Sequence, residues 1–315
     1  MKHFTSVQDV KNISDLVLEA QNIKKNPFLH QNLGKNKTLG LIFFNSSLRT
    51  RLSTQKAAQN LGMSVMVMNV GQDGWQLEFE EGAVMNGAAA EHAKDAIAVM
   101  GQYCDILGVR SFPELKNRDL DYSERVLNSF IKYANVPIVS LESATLHPLQ
   151  SLADLITMEE LKKTACPKVV LSWAAHPRAL PQAVPNSFAQ WVGAGNYELV
   201  ITHPKDYELA KEFTKNAMIE HDQDKALAGA DFVYAKNWSS YSDYGKIASQ
   251  DPSWQITSEK MKLTNKAYFM HCLPVRRNVI VSDSVIDSPQ SAVIRQAGNR
   301  VFSAQVVLKN LLENN

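Results

Sequence analysis

The amino-acid sequence predicts an α/β fold of two domains, each a parallel sheet with helices on both faces. The chain has 315 residues, which is long enough for two domains with substantial cores. Short apolar runs alternate with helical patterns along the whole chain, without internal repeats. Runs that are apolar at every position, rather than at alternate positions, are typical of parallel strands covered on both faces.

Eight apolar runs predict strands, and a break near residues 142–147 leaves four in each half. The predicted strands are Leu39–Phe44, Ser64–Met68, Ile106–Val109, Pro137–Leu141, Lys168–Ser172, Glu198–Ile201, Phe232–Tyr234 and Tyr268–Met270. The predicted helices are Val7–Asn22, Thr50–Leu61, Glu91–Tyr103, Leu149–Lys163, Val184–Gln190, Tyr207–Asn216 and Val301–Leu312. Ligands of such sheets bind beyond the carboxyl ends of the strands, so residues there are the candidates for chemistry.

The composition excludes several classes of protein. With 33 basic and 32 acidic residues, the net charge of +1 does not favour a nucleic-acid or membrane surface. The N-terminal residues soon become charged and polar, unlike a signal peptide, and the apolar runs are too short to span a membrane. Three cysteines are too few for a disulfide framework or a recognisable zinc site. We therefore expect a cytoplasmic protein without a metal.

The first predicted strand runs into the segment Asn45–Arg51, and a helical pattern follows it. The first N–H groups of a helix have no partners within the helix, and the helix dipole places partial positive charge there. Hydroxyl groups and the guanidiniums of Arg49 and Arg51 add donors to this turn, which predicts a phosphate site. From this segment alone, an ordinary capped helix with surface arginines is nearly as well supported.

Further candidates follow the third and fourth strands. Arg110 comes directly after Ile106–Val109 and can clamp a developing negative charge. His147 precedes Pro148, which suits the first position of a helix because its missing N–H is not needed there. An imidazole at that helix end is shifted toward its neutral form, and Gln150 offers both a donor and an acceptor to an amide. A capping histidine and a solvated glutamine are the alternative.

Three strand ends of the second half carry polar residues as well, namely His176, Lys236 and the run His271–Pro274. A cysteine beside a histidine suggests a thiolate nucleophile, but adjacent residues on a strand point to opposite faces, which argues against it. The backbone carbonyls of Cys272 and Leu273 are better suited to accept hydrogen bonds from an amide. Ordinary loop chemistry would explain each of these residues singly.

Taken in order, these motifs resemble those of the aspartate/ornithine carbamoyltransferases over almost the whole chain. The segment Ser47–Arg51 is similar to the family's Ser-Thr-Arg-Thr-Arg phosphate loop, with Leu48 in place of the first threonine. His147–Gln150 fits its His-Pro-x-Gln, and His271–Pro274 fits the His-Cys-Leu-Pro of the ornithine branch. Asn299-Arg300 fits the Asn-Arg that precedes the last helix of the family. Each match is weak alone, and the ordered set is specific.

The resemblance implies carbamoyl phosphate as one substrate and requires neither a metal nor an organic cofactor. It implies a carbamoyl phosphate-binding domain of residues 1–145 plus a C-terminal helix 297–315, and an N-acylornithine-binding domain of residues 146–296. The catalytic residues implied are Arg110, His147, Thr50 and Arg49. The residues implied in carbamoyl phosphate binding are Ser47, Leu48, Arg49, Thr50, Trp75, Arg110, His147, Gln150, Cys272, Leu273 and Arg300.

A departure from the ornithine pattern points to a different second substrate. In members that use free ornithine, an aspartate at the position of Lys236 pairs with the substrate's α-ammonium. A lysine repels an ammonium and attracts a carboxylate, so the substrate should have a neutral α-nitrogen, as an Nα-acylated ornithine has. Residues 173–178, 181–188 and 272–278 resemble the N-acylornithine branch, above all its succinyl-specific members from Bacteroidetes-type bacteria. The residues implied in acylornithine binding are Glu142, His176, Lys236 and Arg276.

The acyl group is expected to be succinyl, which makes the reaction the transfer of a carbamoyl group to the δ-amine of N-succinyl-L-ornithine in arginine biosynthesis. The position that separates the branches, glutamate in acetyl enzymes and proline in succinyl enzymes, aligns with Ala90. Without a glutamate, nothing there repels a succinyl carboxylate. Ile280 replaces a carboxylated lysine of the acetyl enzymes. The acetyl substrate stays open as an alternative, because Ala90 matches neither pattern and Glu91 is one residue away.

Two further expectations concern assembly and activity. The resemblance implies that Trp75 completes the site of a neighbouring chain in a homotrimer with shared active sites, although local burial of the indole is the simpler alternative. A non-catalytic, anion-binding paralogue is a lower alternative. The chain retains Arg49, Thr50, Arg110, His147, Gln150 and Arg300, which argues against the paralogue.

Overall fold

The computed structural model describes residues 1–314, so Asn315, the last residue of the predicted C-terminal helix segment, lies outside the described residues. The described chain forms parallel sheets with helices, which confirms the predicted α/β class. It divides into two compact units. Unit 1 comprises Met1–Glu114, Asp119–Leu149 and the chain from Arg300, and unit 2 comprises Leu115–Arg118 and Gln150–Asn299.

The elements have the following bounds. The strands are β1 (Thr38–Phe43), β2 (Ser64–Asn69), β3 (Leu77–Glu78), β4 (Glu91–His92), β5 (Ile106–Arg110), β6 (Ile138–Glu142), β7 (Lys168–Trp173), β8 (Glu198–Thr202), β9 (Met218–Glu220), β10 (Phe232–Lys236) and β11 (Tyr268–Met270). The helices are α1 (Ile13–Lys25), α2 (Arg49–Asn60), α3 (Ala93–Tyr103), α4 (Arg118–Tyr122), α5 (Arg125–Tyr133), α6 (Pro148–Leu161), α7 (Ala183–Gly193), α8 (Gln223–Leu227), α9 (Ser258–Lys262), α10 (Asp283–Ile286) and α11 (Val293–Glu313).

Unit 1 is built on a four-stranded sheet in the order β2-β1-β5-β6, with every pair parallel. Strands β5 and β6 are buried at every position, as expected for strands covered on both faces. The core of the unit includes Ile42, Ile97, Leu107, Phe130 and Ile138. The chain passes from β1 to β2 on one side, whereas β5 lies on the other side of β1. The strand order therefore reverses between β1 and β5, and ligands bind at such a point.

Unit 2 is built on a five-stranded parallel sheet in the order β11-β10-β7-β8-β9. Its core includes Val170, Val200, Val233, Phe269 and Val281. The chain moves outward from β7 through β8 to β9 and then returns to place β10 on the other side of β7. The reversal point of this sheet lies between β7 and β10, where the carboxyl ends of both strands carry polar residues.

All eight predicted strands are present, and the short strands β3, β4 and β9 were not predicted. Several helix predictions need correction. The first helix begins at Ile13 rather than Val7, because Ser6 caps a separate short turn at Val7–Asp9. Helix α3 begins at Ala93, since the preceding residues form β4. Helix α11 begins at Val293, eight residues before the predicted start, so Asn299-Arg300 lies inside the last helix and not before it.

The predicted helix Tyr207–Asn216 is wrong. The segment forms successive turns instead, with hydrogen bonds from Phe213 to Ala210 and from Ala217 to Thr214. The Tyr207 side chain is buried, and its hydroxyl oxygen accepts hydrogen bonds from the backbone N–H groups of Ala248 and Ser249, both at 2.8 Å. These tertiary contacts override the helical pattern of the local sequence. Among residues 1–314, no helix is both long enough and apolar enough to cross a membrane.

Candidate active site

The turn between β1 and α2 brings two guanidiniums of unit 1 to one hydroxyl. Thr50 is fully buried in the first turn of α2, and its backbone N–H donates to Ser47 Oγ at 3.3 Å. Its Oγ1 accepts from Arg110 Nη1 at 3.2 Å and from Arg300 Nη2 at 2.7 Å. A hydroxyl oxygen has two lone pairs, so with both engaged its hydrogen is directed away from the two cations. Thr50 is thereby set up as a hydrogen-bond donor.

Arg110 contacts a hydroxyl, a carboxylate and an aromatic ring of unit 1. It is buried at the end of β5, where Nη1 also donates to Glu142 Oε2 at 2.6 Å, and its guanidinium lies 4.4 Å from the centre of the Phe112 ring. The Phe112 backbone N–H donates to Asn45 Oδ1 at 2.6 Å, which ties the loop after β5 to the loop after β1. Such contacts fix the guanidinium in place before a ligand arrives.

His147 is buried directly before α6, which begins at Pro148 as predicted. Burial lowers the pKa of its imidazole well below the usual value, and the charges of Arg300, Arg110 and Arg49 lower it further. Its Nε2 lies 3.4 Å from Glu142 Oε2. Nδ1 is buried and has no hydrogen-bond partner within residues 1–314. A neutral imidazole can donate one hydrogen bond to an oxygen without adding positive charge.

The charge of this cluster favours an anion. Three guanidiniums, those of Arg49, Arg110 and Arg300, act on His147, and the Glu142 carboxylate forms an ion pair with Arg110. With His147 neutral, these groups together carry a net positive charge. Guanidinium donors together with the first backbone N–H groups of a helix match the oxygens of a phosphate group.

Sequence reasoning missed Glu124, which holds the loop before His147. Its carboxylate is buried and accepts from Ser143 Oγ at 2.6 Å, from Thr145 N at 2.7 Å and from Ala144 N at 3.2 Å. Burial raises the pKa of this carboxyl group, and the hydrogen bonds from the loop oppose that rise. Glu124 is separated from this loop by a whole strand, so no local pattern marks it.

In unit 2, polar residues meet at the carboxyl ends of β7 and β10. Arg276 Nε lies 3.0 Å from His176 Nε2, and His176 Nδ1 lies 2.9 Å from the carbonyl oxygen and 3.0 Å from the backbone nitrogen of Arg178. Burial lowers the pKa of His176, as do the charges of Lys236, Arg276 and Arg178. Lys236 is buried at the end of β10, and its Nζ donates to the Asn237 carbonyl at 3.1 Å.

This group of cations in unit 2 lacks neutralising acids. Within the described part of unit 2, no carboxylate forms an ion pair with Lys236, Arg276 or Arg178. The arrangement therefore attracts a ligand with one or more carboxylates. Three of the four residues predicted to bind acylornithine, His176, Lys236 and Arg276, are brought together here. The fourth, Glu142, lies in unit 1 against Arg110 and His147.

The residues predicted to accept from a carbamoyl NH₂ also lie in unit 2. Gln150 is buried in the first turn of α6, and its Nε2 donates to Asp154 Oδ1 at 2.7 Å. Cys272 is buried beyond the end of β11, and the Leu273 backbone N–H donates to His271 Nδ1 at 2.8 Å. The Leu273–Pro274 peptide bond is cis.

The segment around Trp75 extends from unit 1. The indole is 58% exposed, which excludes the alternative of local burial, and its Nε1 donates to Glu91 Oε2 at 2.8 Å. Ala90 is exposed, and its backbone N–H donates to the Gln76 carbonyl at 3.3 Å. Leu48 is exposed as well, so its side chain does not join the buried cluster around Thr50.

Comparison with known proteins gives consistent matches over the whole chain. Residues 2–160 match the family profile "Aspartate/ornithine carbamoyltransferase, carbamoyl-P binding domain", and residues 182–311 match "Aspartate/ornithine carbamoyltransferase, Asp/Orn binding domain". The chain is 60% identical to the N-succinylornithine carbamoyltransferase of Bacteroides thetaiotaomicron, with 99% of each chain covered. It is 35% identical to the N-acetylornithine carbamoyltransferase of Xylella fastidiosa, covering 99% of this chain and 98% of that protein.

A solved structure is similar to this chain over almost its whole length. It is a glutamate-to-alanine mutant of N-acetyl-L-ornithine transcarbamylase complexed with carbamyl phosphate and N-succinyl-L-norvaline. It matches this chain with a TM-score of 0.92 at 35% identity, covering 99% of this chain and all of that one.

Proposed function

The chain belongs to the aspartate/ornithine carbamoyltransferase family, and from that premise we propose that it transfers the carbamoyl group of carbamoyl phosphate to N-succinyl-L-ornithine. The products are N-succinyl-L-citrulline and phosphate, in arginine biosynthesis. The 60% identity to proteins of this name over 99% of the chain supports the assignment. The observation in this chain that carries it is the buried cluster of Thr50, Arg110, His147 and Arg300.

The residues of the family motifs supply what carbamoyl phosphate requires. The phosphate binds at the first turn of α2, through the segment Ser47–Thr50 and the guanidiniums of Arg110 and Arg300. The Thr50 hydroxyl, the Arg110 guanidinium and the neutral His147 donate to the carbonyl oxygen. Gln150 Oε1 and the carbonyls of Cys272 and Leu273 accept from the NH₂ group.

The reaction is an attack of the δ-amine on the carbonyl carbon. The nitrogen lone pair forms the new C–N bond, negative charge develops on the carbonyl oxygen, and the C–O bond to phosphate then breaks. The donors already directed at the carbonyl oxygen stabilise this charge without reorganising. The departing phosphate takes the proton that the amine loses, so no protein nucleophile is required. Glu142, beside Arg110, attracts the δ-ammonium, which loses its first proton to solvent before the attack.

The cations of unit 2 favour the succinyl over the acetyl substrate. N-succinylornithine carries two carboxylates, one on the amino acid and one on the acyl group, and N-acetylornithine carries one. Lys236, Arg276 and Arg178 supply positive charge that no acid of unit 2 neutralises. The neutral His176 adds a hydrogen-bonding group between them.

The segment from Trp75 to Glu91 also favours succinyl. Ala90 presents no charge at the position that separates the two branches of the family. The Glu91 carboxylate, which follows Ala90 in sequence, accepts from the Trp75 indole in the same chain. In the solved complex of the glutamate-to-alanine mutant, an acetyl enzyme is complexed with N-succinyl-L-norvaline. The acetyl alternative therefore has weaker support.

We propose in addition that the chain forms a homotrimer with shared active sites. Leu48, Leu52, Met66 and Trp75 are large apolar side chains of unit 1 that stand exposed in the single chain. A homotrimer would remove such side chains from water. Trp75 would then contact the carbamoyl phosphate of the neighbouring chain.

A phosphate-release assay tests the transferase activity. Purified protein is incubated with carbamoyl phosphate, with and without N-succinyl-L-ornithine, and both phosphate and N-succinyl-L-citrulline are quantified. We expect the two products in equal amounts, and phosphate release that depends on the acylornithine. Phosphate release without a citrulline-type product would contradict the proposal.

A further inference from the structure

Asp154 is a buried carboxylate for which the reaction described above has no use. It lies on α6, one turn after Gln150, and its side chain is fully buried in unit 2. Its Oδ1 accepts from Gln150 Nε2 at 2.7 Å and from Gln296 Nε2 at 2.7 Å. An ionised carboxylate in such a place is costly unless several donors surround it, so its retention requires an explanation.

The side-chain amide of Gln296 links Asp154 to the end of β11. Gln296 Oε1 accepts from the His271 backbone N–H at 3.0 Å, while its Nε2 donates to the carboxylate. His271 Nδ1 in turn accepts from the Leu273 backbone N–H at 2.8 Å. A continuous set of short hydrogen bonds therefore joins Asp154 both to the Gln150 amide and to the residues whose carbonyls follow β11.

Tyr234 adds to the surroundings of the carboxylate. Its hydroxyl is fully buried on β10, and burial raises its pKa well above the usual value, as do the neighbouring Asp154 and Cys272. Asp154 and Cys272 thus both lie close to one hydroxyl.

We propose that Asp154 is a positioning residue that makes the protein selective for a carbamoyl group, by fixing the orientation of the acceptors for its NH₂. This inference rests on the proposed function. An amide side chain can present either its oxygen or its NH₂ to a ligand, and the two orientations have almost the same shape. A carboxylate accepts only, so it holds Gln150 with Nε2 toward Asp154 and Oε1 away from it.

The orientation of the Gln150 amide determines whether the NH₂ group of carbamoyl phosphate finds acceptors. Gln150 Oε1 and the carbonyls of Cys272 and Leu273 accept hydrogen bonds, and an NH₂ group can donate to them, whereas a methyl group cannot. Without Asp154, the Gln150 amide loses this constraint and can present its NH₂, which opposes the NH₂ of the ligand. The release of Gln296 also loosens the end of β11. Both changes reduce the preference for a carbamoyl group without altering the phosphate-binding residues of unit 1.

The test compares carbamoyl phosphate with acetyl phosphate, which differ only in the group on the carbonyl carbon, and uses inorganic phosphate as a reference. Carbamoyl phosphate carries an NH₂ where acetyl phosphate carries a methyl group, and inorganic phosphate carries neither. The dissociation constants of all three are measured by calorimetry for the wild type and for Asp154→Leu, which has a similar volume and no acceptor. We expect Asp154→Leu to lose roughly 10-fold or more in carbamoyl phosphate affinity relative to acetyl phosphate, since it leaves buried amides unpaired. Inorganic phosphate should bind as in the wild type.

Three further variants separate positioning from structural support. Asp154→Asn keeps an acceptor oxygen for both amides and should retain most of the preference. Gln296→Leu removes the link between Asp154 and His271, so a partial loss of the preference for carbamoyl phosphate is expected. This variant serves as the test if Asp154→Leu does not fold. Thr157→Val removes a buried hydroxyl of the same helix, which accepts from Asn299 Nδ2 at 2.9 Å, and should leave all three affinities unchanged.

Two results are decisive against the inference. If Asp154→Leu and Gln296→Leu weaken carbamoyl phosphate and acetyl phosphate by the same factor, Asp154 supports the structure only. The inference is equally wrong if both variants keep the full preference of the wild type. A wild type that does not prefer carbamoyl phosphate at all would instead contradict the proposed function.

Discussion

Individual residues of the cluster in unit 1 are set in a defined protonation and hydrogen-bonding state by their neighbours. Thr50 is a donor because Arg110 and Arg300 occupy both of its lone pairs. His147 is neutral because burial and three guanidiniums oppose its protonation. A protonated His147 would bring a further positive charge to the carbonyl, but it would have to be formed against three cations. In the proposed mechanism, the site acts through fixed donors rather than through proton transfer by the histidine.

The first residue-scale prediction concerns the pH dependence of His147. A histidine in water is half protonated at about pH 6.5. Because the pKa of His147 is lowered well below that value, its imidazole should remain neutral as the pH falls from 7.5 to about 5.5. NMR of isotope-labelled histidine, with the signal assigned by its loss in His147→Asn, measures this directly. A His147 signal that titrates at or above the usual pKa would refute the neutral state.

The second residue-scale prediction concerns Lys236. Replacing it with alanine removes a buried positive charge from the acylornithine residues, while the phosphate residues of unit 1 are unchanged. We expect Lys236→Ala to bind N-succinyl-L-norvaline, which has no δ-amine and cannot react, at least 10-fold more weakly, since hydrogen bonds to charged groups are worth about 1.5–3 kcal/mol. Calorimetry in the presence of carbamoyl phosphate measures the change.

The matched control for this experiment is Lys262→Ala. Lys262 is an exposed lysine of the same unit that pairs with Glu259 at 2.8 Å, and its removal should leave both affinities unchanged. If Lys236→Ala instead weakens carbamoyl phosphate and the norvaline analogue equally, its role is structural and the charge argument for the substrate is wrong.

At the scale of elements, loops are held in place by side chains from distant segments. Glu124 begins α5, and its carboxylate accepts from three consecutive residues of the loop 143–145 that leads to His147. Asn45 holds the loop after β5 in a similar way. Each contact fixes a strand end that carries a site residue, although the side chain that makes it does not itself touch the cluster around Thr50.

The element-scale prediction follows from Glu124. In Glu124→Gln, one carboxylate oxygen becomes an NH₂ group that cannot accept from the loop, so His147 should lose its fixed position. Small displacements of a reacting group are costly, and we expect the turnover rate to fall by roughly 10-fold or more. Glu81→Gln is the control, because Glu81 is an exposed acid that pairs with Lys132 on the surface. Steady-state kinetics measure both, and normal turnover in a folded Glu124→Gln would contradict the positioning role.

The strands and their polar ends were predictable from sequence, because an apolar run followed by a polar turn is a local signal. The start of α11 was not, since Gly298 and Asn299 have low helix propensity. There the helix is supported by a tertiary contact, from Asn299 Nδ2 to Thr157 Oγ1 at 2.9 Å. Glu124 and Asn45 were also missed, because their partners are distant in sequence. The pairing of Glu142 with Arg110 depends on β5 and β6 being neighbours, which the sequence order alone does not fix.

At the scale of the whole molecule, the exposed indole of Trp75 bears on how many chains make one site. Its Nε1 is anchored to Glu91 within the chain, while more than half of the side chain remains exposed. Such an arrangement presents the ring outward in a fixed position. In the proposed trimer, that surface would be covered by the neighbouring chain, and each site would depend on two chains.

Complementation between two inactive variants tests this proposal. Arg110→Ala removes a donor to the carbonyl oxygen and should lower the rate by about 100- to 1000-fold, and Trp75→Ala should also be impaired. When the two are mixed in equal amounts and allowed to exchange, about a quarter of the sites in random trimers contain both intact residues. We therefore expect activity to rise toward about a quarter of the wild-type value. No recovery, in a mixture shown by mass to have exchanged, would mean that Trp75 serves its own chain.

The identity of the second substrate is tested most directly by competition. Limiting carbamoyl phosphate is offered to an equimolar mixture of L-ornithine, N-acetyl-L-ornithine and N-succinyl-L-ornithine, and the three citrulline products are quantified by mass spectrometry. At equal substrate concentrations, the initial product ratio equals the ratio of kcat/KM values, and the enzyme concentration cancels. The uncompensated cations of unit 2 and the replacement of aspartate by Lys236 predict that N-succinyl-L-citrulline predominates and that citrulline is the least abundant product. Predominance of citrulline or of N-acetyl-L-citrulline would contradict the assignment.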